Sequence, residues 1–255
     1  MRIRMLNKKM ITKTFVATIL SLTMIAPTSV FAYENTDSQY SEDVVVNEDV
    51  NIEQSENVNF HQVEIRDTND LAILSDELDR FVQENPNSSE EEQDQHLIEF
   101  IKNGGLERPT TRSIGDYLPG YGKLNTAERK LAIAHPVQAV KVYNASKTAT
   151  AKTIEVYGHN GWQDNSDAFR HCLWNALMKQ SIGTSAAEKW ATAHEYTSSG
   201  IDKQMDLHNN AVGRGINVSG KSTSSIVDAV KSKVRNGSCK RIINDRLVAT
   251  DGSGM

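Results

Sequence analysis

Three short stretches carry side chains able to do chemistry: "SDAFRHCLWNAL" from Ser166, "ATAHEY" from Ala191 and "MDLHNN" from Met205. In the first, Asp167, His171 and Asn175 stand at i, i+4 and i+8, so a helix puts them on one face. Their neighbours Ala168, Phe169, Cys172, Leu173, Trp174, Ala176 and Leu177 are apolar or small on every side. A helix of that composition is buried, and its polar seam then needs partners. In the second stretch, Ala187, Trp190, Ala191 and His194 have the spacing of an inward face, with Glu195 adjacent. In the third, Met205, His208 and Val212 share a face, flanked by Asp206, Asn209 and Asn210. Three helices are thus expected to turn a histidine inward, each with a carboxylate close by.

Two chemistries fit such a set. His171, His194 and His208 could hold one divalent metal such as zinc, because three protein ligands plus a water form a catalytic zinc site. Alternatively, a histidine oriented by Asp167 or Glu195 acts as general base on a water without metal. In either case Arg170 or Arg214 would hold an anionic substrate, with Asn175, Asn209 and Asn210 lining the same centre. The bland alternative is a satisfied polar network that fixes helix register. No established ligand motif such as H-E-x-x-H is present, so the residue types leave all three readings open. Cys172, beside His171, reads as a small buried apolar residue, and with Cys239 it leaves room for one disulfide.

The stretch "GINVSGKS", Gly215 to Ser222, matches the phosphate-cradling P-loop pattern letter for letter. A working P-loop leaves a buried strand, and its backbone N–H groups and the following helix N-terminus hold the phosphates. Here a helical pattern, "MDLHNNAVGR", precedes it. The expectation is a helix stop, a loop and a Ser cap, with no nucleotide site.

The elements that must position these residues follow from periodicity and punctuation. "TNDLAILSDELDRFVQE" places Leu71, Leu74, Leu78 and Phe81 on one helix face. "SSEEEQDQHLIEFIKNGG" reads as a capped helix stopped by Gly104–Gly105. "LERPTTRSIGDYLPGYG" is punctuated as a linker. Asn125 and Glu128 have capping-box spacing, His135–Pro136 restarts the helix, and a long helix runs to about Tyr157. Helices follow over about 167–181, over "TSAAEKWATAHEY" with a Ser185–Glu188 capping box, over "GIDKQMDLHNNAVGR", and over "STSSIVDAVKSKVRNG". "CKRIINDRLVAT" reads as a short hairpin turning at Asn244–Asp245. The expected fold is mainly α, a compact helical bundle with a short C-terminal hairpin. His61 and His96 read as solvated, Trp174 and Trp190 as core, and His135 as a helix boundary.

Charge divides the chain in three. Residues 1–32 hold five bases and no acid around an apolar run that ends in "VFA", the pattern of an export signal cleaved before Tyr33. Residues 33–110 hold 21 acids and 4 bases, net −17, and residues 111–255 hold 12 acids and 19 bases, net +7. An acidic, partly disordered segment with two helices therefore precedes a basic helical domain. That segment serves as a solubilising spacer or as a cover for a cationic surface. No later stretch approaches the roughly 18 apolar residues of a membrane helix, so a secreted product, extracellular or wall-associated, is expected.

The combination "DAFRHCLWNAL…AHE…MDLHNNAVGR", with "LNTAERKLAIAHP" ahead of it, resembles a bacterial domain of unknown function found in secreted proteins of Gram-positive bacteria and at the ends of toxin-like chains. The resemblance covers about residues 120–236. It supplies no activity, fold or cofactor. It implies that Asp167, Arg170, His171, Trp174, Asn175, His194, Glu195, Asp206, His208, Asn209, Asn210 and Arg214 occupy the motif positions. Cys172 departs from the small residue expected there, which argues against cysteine chemistry. The reading reached is a hydrolase-like domain acting on an anionic extracellular substrate such as a phospholipid, nucleic acid or wall polymer. Its alternative is a non-catalytic interaction domain whose polar cluster is structural.

Overall fold

A computed structural model describes residues 64–107 and 122–255; the expected export signal, His61 and most of the linker lie outside these residues. The described elements are α1 (Thr68–Glu84), α2 (Glu90–Lys102), α3 (Thr126–Ala134), α4 (Pro136–Tyr157), α5 (Asn165–Ile182), α6 (Thr184–His194), α7 (Gly200–Arg214), α8 (Thr223–Arg235), β1 (Lys240–Ile243) and β2 (Arg246–Ala249). The fold is mainly α, with one antiparallel hairpin, β1–β2. Asn244 and Asp245 turn that hairpin with φ of 50° and 57°, the left-handed pair that a tight two-residue turn demands.

The buried helix α5 organises the rest. Asp164 caps it by accepting the Ser166 and Asp167 N–H groups. It buries Ala168, Phe169, Cys172, Leu173, Trp174, Ala176, Leu177 and Met178. α4, α6, α7, α8 and β1 all pack on it. Trp174 and Trp190 are core residues, 2% and 4% exposed. The capping box at Asn125–Glu128 forms, and so does one at Ser89–Glu92. The expected box at Ser185–Glu188 does not: α6 begins two residues earlier, at Thr184 behind Gly183, without a side-chain cap. Gly183 has φ of 82°, so the glycine turn rather than a serine side chain sets that start.

The helices of the acidic segment are built into the core. Leu71, Leu74, Leu78, Leu97 and Ile101 are buried, and both α1 and α2 pack on α4. The N-terminus of α4 has no cap of its own; Asp94 of α2 accepts the Val137 N–H at 2.8 Å instead. Lys141 reaches Glu90 at 2.7 Å. His96, expected to be solvated, is half-buried: it stacks on Phe81 at 4.1 Å and meets Glu77 at 2.5 Å. Among the described residues no helix is long and apolar enough to cross a membrane.

Candidate functional site

The polar seam of α5 faces α7, and a glycine brings the two helices together. A Cβ on Gly213 would lie 2.1 Å from the Cys172 carbonyl oxygen and 3.0 Å from Asn175 Cβ. Only a residue without a side chain allows that approach. The close contact sets which face of α7 turns inward: Met205, Asn209, Asn210 and Gly213 are buried.

A chain of hydrogen bonds then fixes the state of His171. Arg214 Nη1 donates to Asn175 Oδ1 at 2.9 Å. A guanidinium can only donate, so this end of the Asn175 amide is oxygen and the other is nitrogen. Asn175 Nδ2 donates to Asn210 Oδ1 at 2.6 Å. That oxygen also lies 3.3 Å from His171 Nδ1, which must therefore be the protonated nitrogen. Nε2 points the other way, toward two carboxylates. It lies 3.5 Å from Asp167 Oδ1 and 3.4 Å from Asp206 Oδ1. Among the described residues, Asp167, His171 and Asp206 form a group able to hold a metal, since one ligand atom from each lies within 4.8 Å of the others.

Each carboxylate has its own support. Asp167 Oδ1 takes a short hydrogen bond from Arg170 Nη2, and its Oδ2 accepts the Gln163 N–H at 2.7 Å. Gln163 holds φ of 61°, a left-handed conformation that costs a non-glycine residue about 1 kcal/mol. Its side chain donates to Asp202 at 2.7 Å and its carbonyl accepts the Ile242 N–H at 2.9 Å, so the hairpin and α7 hold the loop in place. Glu195 caps the C-terminus of α6 and is buried, with Oε1 3.9 Å from His171 Nδ1. Glu195 Oε1, Asp206 Oδ1, Asn210 Nδ2 and Arg170 Nε are buried atoms without a hydrogen-bond partner. Asp206 and Arg170 are the more accessible members, with side chains 14% and 15% exposed.

Burial pushes His171, Asp167 and Asp206 toward their neutral forms. It drives His171 well below the usual imidazole range, with the Arg170 and His194 charges adding to the effect. It raises Asp167, against the pull of Arg170. Asp206 is pushed up to about 8, by burial first and then by the Glu195 and Asp167 charges.

The three imidazoles do not converge, which corrects the expected His171–His194–His208 ligand set. His208 is exposed and its Nε2 donates to the Ser238 carbonyl at 2.8 Å. The face pattern Met205–His208–Val212 was misplaced by about one residue's rotation, because the contact at Gly213 draws in Asn209 and Asn210 instead. His194 lies near the centre, its ring 6.4 Å from that of His171 and edge-on to Trp174 at 5.1 Å. Its Nδ1 is engaged by Glu128 Oε1 at 2.8 Å. Glu128 Oε2 at the same time accepts the Asn125 N–H at 2.8 Å, completing the α3 capping box.

The asparagines and Arg214 work inside the frame. Asn209 pins β1 by exchanging two hydrogen bonds with the Lys240 backbone, at 2.9 and 2.8 Å. Arg214 spans Asn175 and, at 3.2 Å, Glu188. Sequence reasoning missed Gln163 and the second role of Glu128. The capping spacing at Asn125 signalled Glu128 as a helix start only, and a glutamine at positive φ leaves no sequence signature.

Cys172 and Cys239 are both buried free thiols. A hydrogen bond between them, followed by burial, raises the Cys172 thiol well above its usual range, the opposite of a nucleophilic cysteine. The P-loop look-alike follows α7 rather than a strand, and Ile216 and Val218 anchor it in the core. Gln180 Nε2 donates to the Lys221 carbonyl at 2.8 Å, and Lys179 Nζ to those of Arg214 and Ile216 at 2.8 Å each. Side chains thus hold the loop through its carbonyls, as a connector between helices.

A family model described as a domain of unknown function (DUF6973) matches residues 129–238. The matched region includes Asp167, His171, Glu195, Asp206 and the Asn175–Asn210–Arg214 chain. No curated protein and no solved structure matches the chain.

Proposed function

We propose that this chain is a secreted hydrolase acting on an anionic extracellular substrate, with Asp167, His171, Glu195 and Asp206 as its centre. The observation that carries the reading is a buried His/Asp/Asp cluster whose ligand-type atoms meet within 4.8 Å while buried oxygens of Asp206 and Glu195 stay unpartnered. Unsatisfied buried polar atoms are unfavourable and cluster where chemistry is done. Hydrolysis needs a water made nucleophilic, and this centre gathers the lone pairs that can accept or displace its proton. Arg170, at the more accessible side, is placed to meet substrate negative charge, as phosphodiesters of phospholipids, nucleic acids and wall polymers would present it.

The test is turnover of phosphatidylglycerol vesicles, single-stranded RNA and an anionic wall polymer by the purified protein, set against His171→Asn. The expected result is hydrolysis of one class that drops by about a thousandfold in the variant, with helicity unchanged. Absence of turnover on all three classes by folded wild type would overturn this reading in favour of a non-catalytic domain. One observation favours that second reading: the Arg214–Asn175–Asn210–His171 chain ties α5 to α7 and would hold the helices in register without any reaction.

A further inference from the structure

Three ligand-type atoms lie within 4.8 Å of one another: His171 Nε2, Asp167 Oδ1 and Asp206 Oδ1. The distances from Nε2 to the two oxygens, 3.5 and 3.4 Å, exceed those of a hydrogen bond. A proton shared between Nε2 and one oxygen would draw them to about 2.8 Å. Four-coordinate zinc keeps its nitrogen and oxygen ligands at about 2.1 Å, and a tetrahedron of that radius has an edge of about 3.4 Å. Both measured edges from Nε2 have that length.

Charge and surroundings agree with the distances. With Asp167, Asp206 and Glu195 ionised against Arg170, the centre carries a formal −2, which one divalent cation neutralises. Metal-bound histidines donate the far ring N–H to an oxygen, and ligand carboxylates are held by outer partners. Here Nδ1–H is committed to Asn210 Oδ1, and Asp167 is held by Arg170 and the Gln163 N–H. Glu195, 1% exposed and with Oε1 unpartnered, lies behind the imidazole. It adds a buried, unpartnered carboxylate oxygen to the pocket, independent of the three ligand atoms.

We propose that Asp167 Oδ1, His171 Nε2 and Asp206 Oδ1 bind one divalent transition-metal ion of the zinc class. The fourth position is left for water on the accessible Asp206 side. An imidazole nitrogen in the set selects zinc, cobalt or manganese over magnesium, which prefers an all-oxygen octahedron. Arg214, Asn175 and Asn210 are then positioning residues that set the histidine tautomer. The site deepens the hydrolase reading and rests on it only for the use made of the water.

The experiment is calorimetric titration of the chelator-treated protein with zinc, manganese and magnesium chlorides, with cobalt as a visible-absorption probe. The expected result is one zinc per chain at submicromolar Kd, magnesium weaker by about a thousandfold, and the intense cobalt bands of a four-coordinate site. Asp206→Asn and His171→Gln should each weaken zinc by about a hundredfold or more, while His208→Ala leaves it unchanged. Folded wild type that binds no zinc and shows no cobalt bands overturns the proposal. So does affinity indifferent to both ligand substitutions. Metal binding without turnover would instead remove the hydrolase reading and keep the site; turnover undiminished in metal-free protein would keep the hydrolase reading and overturn the use of a metal-bound water.

Discussion

Gly213→Ala sets two effects of opposite sign against each other. Replacing a helical glycine with alanine gains about 1 kcal/mol from backbone propensity. Against that, the new methyl would lie 2.1 Å from the Cys172 carbonyl oxygen and 2.9 Å from its carbon. Both are backbone atoms of α5, so no side chain can swing aside. Restoring ordinary contact requires the helices to separate by about 1 Å, an overpacking cost of about 1–3 kcal/mol. The same movement stretches the Asn175–Asn210 hydrogen bond from 2.6 Å to beyond bonding range and deprives the buried Asn210 carbonyl oxygen of that donor, about 1–3 kcal/mol more. The net expectation is a loss of about 3 kcal/mol, or about 6–12 °C in Tm for a domain of this size. Thermal denaturation followed by circular dichroism reads it directly, and zinc titration of the same variant should show weaker binding because His171 loses its fixed tautomer. A Tm equal to or above wild type, the outcome of propensity alone, would refute the close-contact account of how α5 and α7 assemble the centre.

Other consequences can be checked as directly. The hydrogen-bonded thiols of Cys172 and Cys239 should close to a disulfide when the protein folds in an oxidising compartment. Intact mass would fall by two hydrogens, no thiol would titrate in denaturant, and constraining the loop between them would stabilise by up to about 4 kcal/mol; two free thiols in exported protein would exclude the bond. Lys221→Ala should leave ATP behaviour unchanged, because the loop joins two helices; saturable ATP binding abolished by the substitution would reinstate a phosphate site. A chain beginning near Thr111 loses the packing of Leu71, Leu74, Leu78, Leu97 and Ile101 on the core, a gross burial on the order of 10 kcal/mol. It should melt at least about 10 °C lower and bind a hydrophobic dye, whereas a native-like Tm would show that α1 and α2 are dispensable.

Sequence alone determined the parts governed by local rules. Periodicity and capping gave the helices and the hairpin turn, because a helix face, an Asn–x–x–Glu box and an Asn–Asp turn are each decided within a few residues. The same locality makes α5 legible as a buried helix with a polar seam, so its sequence alone places Asp167, His171 and Asn175 on one face. The tertiary structure decided which groups on other helices meet that seam. The rotation of α7 hangs on Gly213, whose significance is a contact with the Cys172 carbonyl from a distant part of the chain. That contact excludes His208 and brings in Asp206 and Asn210, while Glu128 of α3 engages His194. Likewise, net charge marked the acidic segment as separate, yet a few buried leucines and the Asp94 cap join α1 and α2 to α4. Charge is summed over a whole segment, whereas packing is decided by the few apolar side chains that leave water, and their partners lie too far along the chain for any local pattern to reveal.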